Sequence, residues 1–178
     1  MNYKKLFKYY IFSIIFTIIL GTLLHFTFEW SNKNSLIGIF SAVNESTWEH
    51  LKLLFFPMLI TIIFSYFYLE NDFTKYLCAK TIGIISSILF TTIFFYTYTG
   101  ILGTNYGILN IIIFILAVIF AEYITYLIIK SNYIYNTKTS IVILFVLLIS
   151  FISFTYFPPR INYFKDPLTN TYGMEKSF

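Results

Sequence analysis

Charge is what this chain has least of. Asp, Glu, Lys and Arg make up 11% of its 178 residues, while 58% are hydrophobic. A soluble globular domain carries about 25% charged residues, so a soluble enzyme is excluded. Hydrophobicity this high also excludes a disordered chain. Cysteine is nearly missing: Cys78 stands alone, so neither an internal disulfide nor a four-cysteine zinc site can form. There is no G-x-S-x-G elbow, no P-loop and no Rossmann glycine string, which leaves nucleotide chemistry unsupported. Neither an internal repeat nor a linker divides the chain, so residues 1–178 read as a single membrane domain. The 16 Tyr and 22 Phe, like the many Ile and Asn, fit a nucleotide bias and carry no functional weight.

What is present is five apolar runs. Crossing about 30 Å of hydrocarbon takes about 20 residues, and the spans fall at about 9–30, 48–69, 76–101, 108–129 and 140–157. All are apolar all round rather than alternating, which predicts helices instead of barrel strands. The fold class is therefore all-α, an integral membrane bundle of five transmembrane helices. The first run follows Lys4, Lys5 and Lys8 but exceeds a signal-peptide core and lacks a cleavage motif, so it reads as a retained span. Pro57 lies inside the second and should kink it. Pro158 and Pro159 stop the fifth, leaving 158–178 as a tail. The short link Leu102 to Tyr106 makes spans three and four antiparallel neighbours. The link Ser31 to Val43 is half apolar and reads as a short interfacial segment.

The net charge of +4 is scattered at the ends of these runs. It therefore signals topology rather than nucleic-acid binding. An N-terminus in the cytoplasm puts Lys4, Lys5, Lys8, Lys75, Lys80, Lys130 and Lys138 inside. Lys33, Lys52, Arg160, Lys165 and Lys176 are then outside the cell membrane, as is the C-terminus.

Charges near hydrocarbon are costly, about 2.5–3.5 kcal/mol each at mid-membrane on insertion scales, so their placement is informative. His25 and Glu29 are spaced i, i+4 at the outer end of span one. Span two opens with Asn44-Glu45-Ser46-Thr47-Trp48-Glu49-His50-Leu51-Lys52, in which Glu45, Glu49 and Lys52 would share a helix face. Part of this string is explained without chemistry. Ser46 and Glu49 have the spacing of a capping box, and Trp48 suits an interfacial aromatic belt. The remainder is not so explained. Several carboxylates at one depth need a proton, Lys52 or a metal to compensate them, and shared protons suit acid–base work. His25, Glu29, Glu45, Glu49 and His50 include enough ligand types for zinc, though not in an H-E-x-x-H arrangement. Whether a metal is bound, and any other cofactor, stays open at this point.

The string VNESTWEHLKLLFFP, preceded by LLHFTFEWS and followed by FKDPLTNTYG, resembles an uncharacterised family of small bacterial multi-pass membrane proteins, a domain of unknown function. The resemblance covers nearly the whole chain. It implies a polytopic membrane protein and no known activity.

Three functions compete. In a membrane-embedded enzyme acting on a lipid or lipid-linked substrate, His25, Glu29, Glu45, Glu49, His50 and Lys52 are the candidate catalytic residues. A small transporter would use Glu122 as a mid-membrane proton or cation site, and with five spans calls for a homo-oligomer. In a non-catalytic membrane partner, the motif only ties spans one and two together. Lys80 is expected to snorkel to the inner interface, and Ser87, Thr91 and Tyr98 to mark helix packing.

Overall fold

A computed structural model describes residues 3–131 and 136–174; Lys176, counted above among the outer basic residues, lies outside them. The helices are α1 (Tyr3–Trp30), α2 (Ser35–Gly38), α3 (Thr47–Leu69), α4 (Phe73–Leu102), α5 (Gly107–Lys130) and α6 (Thr137–Tyr156). All but α2 are long and apolar enough to cross a membrane, as the runs require. Helices α1 and α4 start before their apolar runs do, because lysine and tyrosine continue a helix without needing hydrocarbon. Helix α3 passes through Pro57 without ending. The residues between α1 and α3 supply one turn only, α2, which opens on the Asn34 side chain accepting from the Leu36 amide.

Helix α3 is the hub. Within its apolar window 61% of residues are buried, against 22% in α1 and in α6. It packs on α1 and on α4, and α4 packs most extensively on α5. Two glycines set how closely these helices approach. A Cβ on Gly83 would lie 2.5 Å from the Ala121 carbonyl oxygen, so α4 and α5 touch backbone to backbone. A Cβ on Gly21 would lie 2.5 Å from the Leu53 carbonyl and 2.7 Å from the Phe114 ring, so α1 meets α3 and α5 at that level. Close approach through small residues is how helices gain packing energy where lipid is as apolar as leucine. The outer faces keep large apolar side chains exposed, among them Ile141, Phe145 and Ile149 of α6.

The bundle has two ends. One carries Tyr3, the Leu69–Phe73 corner and the ends of α5 and α6 nearest Lys130 and Thr137. The other, the site end, carries the α1–α3 connection, the Gly103–Tyr106 loop and the tail. There α6 stops at Tyr156, ahead of Pro158. The tail folds back, with the Met174 amide donating to the Thr155 carbonyl at 3.2 Å. Asp166 closes a turn by accepting from the Leu168 amide and the Thr169 hydroxyl, each at 2.8 Å. Trp48 is not a belt residue facing lipid. Its ring packs on Phe151, Phe154, Tyr163 and Phe164 and clasps α3 to α6 and the tail.

Candidate functional site

Ser46 decides where the candidate residues point. Its backbone is extended (φ −69°, ψ 152°), and its hydroxyl accepts from the Glu49 amide at 3.3 Å, so the helix begins after it. Glu45 therefore precedes the helix and does not share a helical face with Glu49. Only half of the expected capping box forms. The Glu49 carboxylate takes the Val43 amide at 3.1 Å, and the Ser46 amide goes to the Asn44 side chain at 2.9 Å. Asn44 in turn donates to the Gly173 carbonyl at 2.9 Å, pinning this corner to the tail.

Glu49 and Lys52 turn into the core, both effectively without solvent exposure, and pair at 2.5 Å. The Lys52 ammonium also donates to the Gly38 carbonyl at 2.8 Å and to the Thr155 hydroxyl at 2.9 Å. Its three protons are thus all used. Thr155 lies 3.2 Å from the second Glu49 oxygen. This cluster is closed, and it ties the α1–α3 connection, α3 and α6 together. Lys52, one of the candidate catalytic residues, has no proton or face left to offer a substrate.

Glu45 and His50 turn the other way. His50 Nε2 lies 3.4 Å from one Glu45 oxygen and His25 Nε2 lies 3.9 Å from the other. The two imidazoles meet edge to face at 5.2 Å between centroids. His50 Nδ1 sits 2.9 Å from the Ser46 carbonyl oxygen. A carbonyl only accepts, so Nδ1 carries the proton. The Glu45 side chain is 42% exposed, and hydrogen bonding from His50 holds its carboxyl below the usual carboxylate range.

Glu29 does not join this group. It lies on the solvent side of α1 and pairs with Lys33 at 3.5 Å, one turn further along the chain. Of the six candidates, the structure brings together His25, Glu45 and His50, places Glu49 and Lys52 in a separate buried pair, and leaves Glu29 outside both.

The three convergent residues stand on the wall of a cavity of about 320 Å³ between α1, α3, α4 and α5. Most of the remaining wall is apolar, including Phe26, Leu53, Phe95, Ile111 and Phe114, and Gly21 sits at the α1–α5 contact. Thr91 adds a buried hydroxyl with no hydrogen-bond partner. Sequence reasoning had assigned Thr91 to packing, and it also missed Asn105 and Asn110, which line the cavity and are bridged by the Tyr98 hydroxyl. Phe26 is 46% and Ile111 61% exposed on the outer surface, so the rim between α1 and α5 faces the lipid side.

Glu122 and Lys80 pair with each other, fully buried, with Ser13 3.3 Å from the Lys80 ammonium. Lys80 does not snorkel. It faces the core rather than lipid, and a core-facing lysine has no path to the interface. Depth arithmetic held the signal: Lys80 lies seven residues after Phe73 and Glu122 eight before Lys130, about 10–12 Å from the same end at 1.5 Å per residue.

The chain belongs to the family of unknown function DUF6512, whose profile covers residues 1–174. No curated protein and no solved structure matches it.

Proposed function

We propose that this chain is a membrane-embedded enzyme acting on a lipid or lipid-linked substrate at the outer leaflet of the cell membrane. The observation that carries the reading is the convergence of His25, Glu45 and His50 on the wall of a mostly apolar cavity. Acid–base chemistry needs a titratable group within reach of the reacting atom. An apolar cavity with a few convergent polar groups is the ordinary form of a small-molecule site. At about 320 Å³ it is near the lower limit of the usual 300–1,000 Å³ or so, which suits one acyl or prenyl chain rather than two. The chain would enter over the Phe26–Ile111 rim, with its head beside Glu45. His50, fixed by the Ser46 carbonyl, is the candidate base, and Glu45 orients or relays the proton. The transporter reading draws no comparable support, because Glu122 pairs through one oxygen with Lys80 in the core, its other oxygen buried without a partner, and does not line the cavity.

The orientation rests on the basic residues. With Lys52 and Lys80 assigned to buried pairs, Lys4, Lys5, Lys8, Lys75, Lys130 and Lys138 stand at one end, and Lys33, Arg160 and Lys165 at the site end. The positive-inside rule then puts the site end outside.

The test is lipid profiling by mass spectrometry of host cells expressing the wild type or His50→Gln at equal abundance. A lipid species depleted and a product accumulated only with the wild type is the expected result. Identical profiles sink the enzyme reading.

A further inference from the structure

We infer that His25, Glu45 and His50 form a three-ligand site for a divalent transition metal, of which zinc is the ion best matched. The inference deepens the enzyme reading and rests on the same site. Each residue offers one ligand atom, and all three atoms lie within 4.8 Å of one another. Ligands placed tetrahedrally at about 2.0–2.1 Å from zinc stand about 3.3 Å apart. The three atoms, within 4.8 Å of one another, close to that spacing by side-chain rotation.

Geometry alone would also describe a hydrogen-bonded cluster. The second observation is how His50 is held. Its Nδ1–H is committed to the Ser46 carbonyl, so Nε2 is the ring atom turned towards the Glu45 carboxylate. A proton shared there makes a hydrogen bond, and a divalent cation can take that proton's place. Ligating histidines ordinarily donate their other ring N–H to a carbonyl or carboxylate, and His50 has that arrangement. Two imidazoles and a carboxylate are a donor set shared by catalytic zinc and non-haem iron; zinc, which needs no redox partner, is the ion carried forward. Three protein ligands leave one coordination position free, the form of catalytic rather than structural zinc sites. That position opens on the cavity, where a bound water would have its pKa lowered to about 7.

The test uses the full chain purified in detergent, stripped with a chelator and titrated with zinc by calorimetry, with metal analysis after dialysis. One zinc per chain and a rise in thermal midpoint on zinc addition are expected. Removing a partner that only orients a ligand costs about 10–100-fold in affinity, so His25→Gln, Glu45→Gln and His50→Gln should each lose more than about 100-fold. Glu29→Gln, outside the site, should bind as the wild type does. Unfolding midpoints of the zinc-free variants near that of the zinc-free wild type establish that the variants are folded. Wild-type affinity in any of the three, or no zinc retained by the wild type, overturns the metal. The two readings fail separately. Lipid turnover by zinc-free protein that His50→Gln abolishes keeps the enzyme and removes the metal, whereas stoichiometric zinc with no lipid processed keeps the metal and removes the enzyme.

Discussion

Two clusters of ionisable groups share the nine residues Asn44 to Lys52 and live in opposite surroundings. Glu49 and Lys52 are sealed against α6 and the Gly38 carbonyl, with every ammonium proton placed. Glu45 and His50 meet His25 on a cavity wall, within reach of lipid and solvent. The residue types drawn from this stretch are nearly the same, one carboxylate and one basic side chain for each cluster. What differs is satisfaction: the buried pair is complete, while the open one has lone pairs to spare. The first arrangement builds; the second is able to bind.

The comparison breaks most visibly at Lys52. Lys52→Met leaves the Glu49 carboxylate buried without a cation and should cost about 3–5 kcal/mol, read from unfolding in detergent. Adding Glu49→Gln should restore most of that loss. A wild-type midpoint for Lys52→Met would mean the pair is not the closed tie described here. Gly21→Val comes next. The added methyls meet the Leu53 carbonyl and the Phe114 ring, and overpacking of this kind costs about 1–3 kcal/mol; unchanged stability would refute the close contact.

Ser46 serves both clusters by different atoms, which makes it the sharper probe. Ser46→Ala removes the helix cap, at about 0.5–2 kcal/mol, but keeps the carbonyl that orients His50. Stability should therefore fall while zinc binding survives; loss of both would tie the cap to the site. The smallest effect on stability belongs to Glu45→Gln and His50→Gln in zinc-free protein. Each should cost at most about one hydrogen bond, ~0.5–1.5 kcal/mol, while abolishing lipid turnover. Orientation has its own check: Leu168→Cys, on the exposed tail, should react with an impermeant thiol reagent in intact cells, and reaction only after lysis would turn the molecule over.

The five long helices were legible because a hydrocarbon span requires a length and composition that little else in a sequence imitates. Their ends were less so, since a helix continues past the lipid boundary through residues such as Lys4 and Lys8. His25, Glu45 and His50 were all in the candidate set, along with three residues that the fold sends elsewhere. Helical periodicity put Glu45 on one face with Glu49 and Lys52, but that arithmetic holds only inside a helix, and the extended backbone at Ser46 starts the helix at Thr47, two residues after Glu45. Glu29 went to Lys33 because a lysine four residues further on is nearer than anything across the bundle. The Lys80–Glu122 pair links two helices, and no local pattern encodes such a contact; only equal depth from one end hints at it.

Thr155 gives the closed cluster a consequence in time. Synthesis runs from the N-terminus, and domains are assembled in that order. Glu49 and Lys52 leave the ribosome about a hundred residues before the threonine that completes their hydrogen bonding. The corner that aims Glu45 and His50 also waits for Gly173 to engage Asn44. All three residues of the open site are thus made early, and a segment made about a hundred residues later locks them in place. A nascent chain halted before α6 would hold His25, Glu45 and His50 and lack the frame that points them at one another.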